Sequence, residues 1–168
     1  MSAGLVSIPV GVVVERRKAE SKWIDFTWRP VAVLPGEPAA TPWTVLRADA
    51  EATTFYAGGA LIEFYRTETA NYRDNLIAGP QLWVVLRSTG VDPPYEIVRV
   101  TADPSEGEAF TEAGNDLIDT VPMPDPIRDA LEAFVALHHV ERPFYKRQRS
   151  RTNPEAMGRR ARTGEDDE

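Results

Sequence analysis

The stretch Ile8–Gly36, IPVGVVVERRKAESKWIDFTWRPVAVLPG, decides the fold class of this chain. Ile8, Val10, Val12 and Val14 alternate with Pro9, Gly11 and Val13, the period of two that sends successive side chains to opposite faces of a strand. Pro9 suits a strand start or a sheet edge, because proline cannot donate to a ladder. The polar stretch Arg16 to Lys22 reads as a turn, and Trp23 to Leu34 as a strand returning beside the first, bent at Pro30. An antiparallel hairpin is therefore the founding unit, and Trp28, Arg29 and Pro30 stand side by side on its second arm.

Further strand signals extend this unit. Runs at Trp43 to Ala48, Thr53 to Ala57 and Ala60 to Arg66 follow, with Gly58 and Gly59 as a tight hairpin turn between the last two. Leu82 to Arg87, LWVVLR, is apolar on both faces until its end and reads as a central strand, paired across Gly90 to Pro94 with Tyr95 to Val100. About seven short antiparallel strands predict an α+β domain whose sheet curls into a barrel or packs as a sandwich to protect its edges. Three helical signals accompany them. From Thr67, Tyr72 and Leu76 stand four apart with Gly79 as a stop, predicting a short helix. At 103–114, Asp103 caps, Pro104 fits the first turn, Glu106 sits where a capping box wants it and Gly114 ends the helix, while Gly107 weakens it. At 125–139, Asp125 reads as the cap and Pro126 as the first helical position. Ile127, Leu131, Phe134 and His138 share the apolar face of this C-terminal amphipathic helix.

A chain of 168 residues, 42% hydrophobic and 27% charged, suits one core, here a single domain over 1–147. No apolar run reaches the roughly 18–20 residues that span a bilayer, and the first ten residues lack the charged n-region of a secretory signal, so the expected location is cytoplasmic. Without cysteine there is no disulfide, thiolate zinc site or catalytic thiol. The net charge of −7 is unevenly spread: Met1 to Val140 holds 11 basic and 20 acidic residues, but Glu141 to Thr163 holds 8 basic and 2 acidic. An acidic body is a poor nucleic-acid surface, whereas the basic end can meet an acidic partner or lie on its own body. Residues 148–168, basic and then acidic, are too polar to bury themselves and are expected to be disordered when free.

The catalytic inventory is thin. No phosphate loop, dinucleotide fingerprint or nucleophile elbow is present. His138 and His139, the two histidines, are adjacent and point about 100° apart on a helix, unlike the i, i+4 pair that grips one metal. Near a helix C-terminus they are candidates for a pH response, against the simpler expectation that His138 packs and His139 caps or faces water. No metal site is expected. Glu106 with Glu108, and Asp116 with Asp119, read as solvated surface. Trp23, Phe26 and Trp28 beside Arg29 can form an aromatic and guanidinium face, although large aromatics more often fill a small core. The segment Pro143 to Arg151, PFYKRQRSR, pairs Phe144 and Tyr145 with Lys146, Arg147, Arg149 and Arg151. Rings that anchor and cations that steer suit a partner contact; equally, the rings suit pinning the chain to its own domain.

In order along the chain, IPVGVVVERR, WRPVAVLPG, LWVVLR, VPMP and HHVERPFYKRQR resemble an uncharacterised bacterial family whose members are often encoded beside formate dehydrogenase and its accessory proteins. The resemblance spans Ile8 to Arg149. Some members carry the label of molybdopterin-guanine dinucleotide biosynthesis protein A, a nucleotidyltransferase. That enzyme resembles a Rossmann-like protein opening on a glycine-rich loop, Leu-x-Gly-Gly-x-Ser-x-Arg-x-Gly, which this chain lacks. The resemblance thus implies a context, maturation or use of a molybdenum or tungsten formate dehydrogenase, and no catalytic residues. Two expectations follow. One is a non-catalytic accessory or assembly factor contacting a formate dehydrogenase subunit or accessory protein through Trp28, Arg29 and the Phe144 to Arg151 segment. The other is an enzyme or carrier for molybdopterin or a guanine nucleotide, with Trp28 stacking and Arg29 or the later arginines holding phosphate. Nucleic-acid binding through the basic end ranks last.

Overall fold

The structure, a computed structural model, describes residues 6–140. Strand β1 (Val6–Lys18) runs antiparallel to β2 (Phe26–Pro35) on one side and to β4 (Ala52–Phe64) on the other, and β3 (Thr44–Ala48) completes a four-stranded sheet in the order β2-β1-β4-β3. A second antiparallel sheet, in the order β6-β5-β7, contains β5 (Gln81–Ser88), β6 (Tyr95–Thr101) and β7 (Asp116–Pro122). The α+β expectation holds, but the sheet does not close into a barrel: no ladder joins the two sheets. They share a core instead, with Val10, Val12 and Val14 of β1 and Leu82, Val84 and Leu86 of β5 all fully buried.

Three features of the larger sheet depart from the sequence reading. Arg16 and Arg17 lie in β1 rather than in a turn, because β4 supplies ladder partners as far as Arg17 opposite Ala52. The tight turn lies at 49–51, where the Asp49 carboxylate accepts the amides of Glu51 and Ala52 at 2.8 and 2.9 Å. Gly58 and Gly59 are not a hairpin; they sit inside β4, where Ala57 is the extra residue of a bulge opposite Val12 and Val13. Glycine is needed at Gly58, whose φ is +134°. The bend expected at Pro30 is real, with Val31 bulged between the Val13–Ala32 and Val14–Pro30 pairs. Both bulges fall near the middle of β1 and accommodate the twist of a 13-residue strand.

The helices close the core. After a 3-10 turn at Arg66–Glu68, α1 (Thr69–Ala78) buries Tyr72 and Asn75. Asn75 donates to the carbonyls of Gln81 and Ala102 at 2.9 and 3.0 Å and accepts the Gln81 amide at 3.1 Å, tying α1 to the start of β5 and the end of β6. Helix α2 (Pro104–Ala113) begins as the sequence predicts: the Asp103 carboxylate accepts the Ser105 amide at 2.9 Å, and Gly114 ends it in the left-handed conformation. The reciprocal half of the capping box is absent, since the Asp103 amide donates to Thr101 Oγ1 and Glu106 pairs with Arg99 at 3.3 Å. Gly107 faces Trp83 of β5 so closely that α2 can seat on the smaller sheet only without a side chain there. Helix α3 (Asp125–His138) carries the strongest apolar stripe, with Ile127, Leu131 and Phe134 buried. Its N-cap is Pro124 rather than Asp125, because the extended backbone at Pro124 starts the helix one residue early and no side chain caps it. Phe134 packs against Phe64 and Tyr72, with ring centroids 5.4 and 6.1 Å away, and so seals the end of the core where β4 finishes.

Candidate functional site

Strands β1 and β4 are each 13 residues long and β5 to β7 are seven or eight. At about 3.3 Å per residue, the larger sheet outreaches the smaller by about 15 Å. One end of this excess lies beneath α1 and α3. The other overhangs, and its inner face is aromatic.

Side chains alternate along a strand, so the face that buries Val10, Val12 and Val14 continues to Arg16, and cross-strand pairing puts Trp28 opposite Arg16 and Phe55 opposite Val14 on that face. The Trp28 and Phe55 rings stack, with centroids 5.9 Å apart at 21°. Trp43 meets Trp28 edge-on at 6.3 Å, and Tyr95, from the smaller sheet, reaches Trp28 at 5.8 Å. Trp43 adopts a left-handed backbone, φ 71°, with its N–H donating to the Tyr56 carbonyl. For a non-glycine residue this conformation costs about 1 kcal/mol or more, which the ring contacts offset. The Arg16 guanidinium lies 4.6 Å from the Phe26 ring, 5.4 Å from Phe55 and 5.8 Å from Trp28. With the 92–94 loop, Arg16, Trp28, Trp43 and Phe55 enclose a cavity of about 320 Å³, into which Asp92 also faces.

Beyond the cavity, large apolar side chains are exposed among charged ones. Trp23 is 89% exposed and Ile24 52%, both in the loop joining β1 to β2, while Phe26 is 39%, Val45 52% and Leu46 50% exposed. The sequence expectation that Trp23 and Phe26 serve the core therefore fails: the smaller sheet is too short to cover them.

Trp28 and Arg29 do not form one contact. As neighbours on a strand they face opposite ways, and Arg29 pairs with Glu15 on the outer face at 3.2 Å, beside Arg17 on the same carboxylate at 3.3 Å. Arg16 is the cation on the Trp28 side. Its signal was present in the sequence as even-numbered parity with Val14, hidden by reading Arg16 as a turn residue. Trp43, Phe55 and Tyr95 could not be joined to it without the pairing register.

His138 and His139 lie at the end of α3, where Phe134 packs on Phe64, away from Arg16. His138 packs on Phe134 with centroids 4.6 Å apart, and His139 Nδ1 is 2.9 Å from Thr69 Oγ1. Both line an open cavity of about 620 Å³ with Arg66, Thr67, Thr69, Ala70 and Val140. The candidate contacts Phe144, Tyr145, Lys146, Arg147, Arg149 and Arg151 lie outside the described residues. Among those described, no group of three or more histidine, aspartate or glutamate side chains is arranged to hold a metal ion, and no helix is long and apolar enough to cross a membrane.

Elsewhere, polar groups serve the scaffold. Asp103 is held above the usual carboxylate range, chiefly by burial, against the amide of Ser105 that favours its charged form. Burial likewise pushes the Tyr72 phenol up; its oxygen accepts the Tyr65 amide at 2.8 Å. Arg87 chelates Asp116 at 2.8 and 2.9 Å and holds that carboxyl below its usual range.

Fold and site together define an α+β domain with an overhanging aromatic face. The chain belongs to the family described as protein of unknown function DUF3305, whose model matches residues 9–148. No curated protein and no solved structure matches it.

Proposed function

We propose that this chain is a non-catalytic accessory or assembly factor that acts by protein–protein contact through the overhanging face. The partner suggested by the sequence resemblance is a molybdenum or tungsten formate dehydrogenase, or one of its accessory proteins. One observation carries the contact: five large apolar residues, Trp23, Ile24, Phe26, Val45 and Leu46, are 39–89% exposed around a semi-enclosed aromatic cluster. Exposed patches of this kind mark interaction surfaces, and tryptophan and arginine supply much of the binding energy in such contacts. The test is affinity purification of the tagged full chain from a bacterium expressing formate dehydrogenase, beside a Trp23→Ser/Phe26→Ser variant and a chain ending at Val140. Capture of a dehydrogenase component by the full chain and its loss from the double variant is expected. Equal capture by the double variant removes the overhang as the contact, and capture of no dehydrogenase component removes the partner.

The alternative, a pterin- or nucleotide-binding role in molybdenum-cofactor biosynthesis, draws support from the 320 Å³ cavity, with aromatic walls and Arg16 and Asp92 both facing it. Arg29 points away from Trp28, so Arg16 replaces it in this reading. Calorimetry with guanine nucleotides and molybdopterin tests it, and absence of saturable heat rejects it.

A further inference from the structure

We infer that the partner segment seated on the overhang presents a carboxylate to Arg16, beside an apolar side chain that enters the cavity between the Trp28, Trp43 and Phe55 rings on one side and the 92–94 loop on the other. This rests on the protein-contact reading above and names the chemistry it requires.

Among the described residues, the arginines near Arg16 on the outer face are ion-paired, Arg17 and Arg29 sharing the one Glu15 carboxylate. Arg16 makes no ion pair there, although Asp92 faces the same cavity. Its side chain has one long hydrogen bond, from Nη2 to Thr53 Oγ1 at 3.5 Å. Three rings hold the guanidinium from the Phe26, Trp28 and Phe55 sides, so its direction is set before any partner arrives. A partner that covers Phe26, Phe55 and Val45 must also strip water from this cation. Burying a charge without a counter-charge is strongly unfavourable, so a neutral apolar partner is rejected and one bearing a carboxylate is selected, with a bidentate guanidinium pair as the expected geometry. Asp92 at the cavity disfavours a run of acids, so a single carboxylate with apolar neighbours fits best.

The carboxylate can come from an acidic side chain or from a chain terminus, and three peptides separate the sources: acetyl-Leu-Gln-Phe-amide, acetyl-Leu-Glu-Phe-amide and acetyl-Leu-Gln-Phe with a free C-terminus. Each is titrated into the ¹⁵N-labelled full chain while the Arg16 Nε–H and the Trp28 and Trp43 indole N–H resonances are followed. One or both acidic peptides are expected to shift these resonances saturably, at least tenfold more tightly than the neutral peptide. Arg16→Gln is expected to abolish that preference while the variant keeps a cooperative thermal unfolding transition, and Arg16→Lys to restore it in part. Equal binding of all three peptides, no saturable shift with either acidic peptide, or a preference that survives Arg16→Gln overturns the inference. The purification experiment is independent: losing the dehydrogenase partner leaves the peptide preference standing, and losing the peptide preference leaves a partner captured through Trp23 and Phe26 standing.

Discussion

Gly107→Ala is expected to destabilise the fold, although the same change at an exposed helical position stabilises by about 1 kcal/mol through helix propensity. Gly107 lies in the second turn of α2, its amide donating to the Asp103 carbonyl at 3.1 Å, and is buried against β5. A methyl group there would stand 2.8 Å from Trp83 Cβ and closer still to Cγ and Cδ1. Carbon atoms prefer about 3.5–4.0 Å, so the helix and strand must separate by about 1 Å. The root of the Trp83 side chain cannot move aside. Its backbone belongs to the central strand of the smaller sheet, flanked by Leu82 and Val84, both fully buried. Overpacking of this kind costs about 1–3 kcal/mol. Less the propensity gain, a net loss of up to about 2 kcal/mol remains, or up to about 8 °C in melting temperature for a domain of this size. Thermal and urea unfolding of the wild type and the variant measure it. Repeating Gly107→Ala in a Trp83→Ala background isolates the cause, because removing Cγ and Cδ1 takes away the two nearest contacts and should shrink or reverse the loss. A Gly107→Ala protein more stable than wild type, or an equal loss in both backgrounds, would refute the argument.

Three further outcomes follow from the buried polar groups. Asn75→Ala leaves the Gln81 and Ala102 carbonyls and the Gln81 amide without their partner, and should cost about 2–4 kcal/mol in urea unfolding; a loss below about 1 kcal/mol would show that water replaces the side chain. Tyr72→Phe strips the acceptor from the Tyr65 amide while keeping the ring against Phe64 and Phe134, so a loss of about 1–2 kcal/mol is expected, with faster amide exchange at Tyr65 as the local sign. Asp103→Asn keeps an oxygen for the Ser105 amide and removes a charge that burial disfavours. Because the folded carboxyl titrates above its ordinary 3.8, its penalty is present at neutral pH and disappears as pH falls to the unfolded value. The variant should therefore gain on wild type at pH 7, with the gap closing toward pH 4 in urea midpoints; a gap that widens in acid contradicts the assignment.

Much of the framework was legible in the chain. The valine alternation from Ile8 to Val14, the Asp103-Pro104 helix start, the Gly114 stop and the apolar stripe of α3 are local signals, each satisfied within a few residues by backbone geometry. Seven strands were expected and seven exist, but not the same seven. Two expected strands are one continuous β4, and β7, Asp116–Pro122, was not anticipated because its burial pattern carries little alternation of its own. Gly58 and Gly59 mark a bulge or a turn equally well in isolation; only pairing with β1 distinguishes them. Gly107 reads locally as a weak helix position, and its necessity comes from Trp83, 24 residues away in the chain.

The same division separates the candidate site from its sequence signals. Composition alone exposed the missing catalytic motifs and the lack of cysteine, and local order exposed the Trp28 region. Which arginine accompanies Trp28 was a matter of register: adjacency favoured Arg29, while strand geometry sends Arg29 to Glu15 and brings Arg16, twelve residues earlier, across to the ring. Whether Trp23 and Phe26 are core or surface depended on the relative lengths of two sheets that no local pattern compares. Secondary structure here follows from short-range periodicity and capping, which a single segment carries by itself. The site arises where one sheet outruns another, and that mismatch exists only once both have folded and packed.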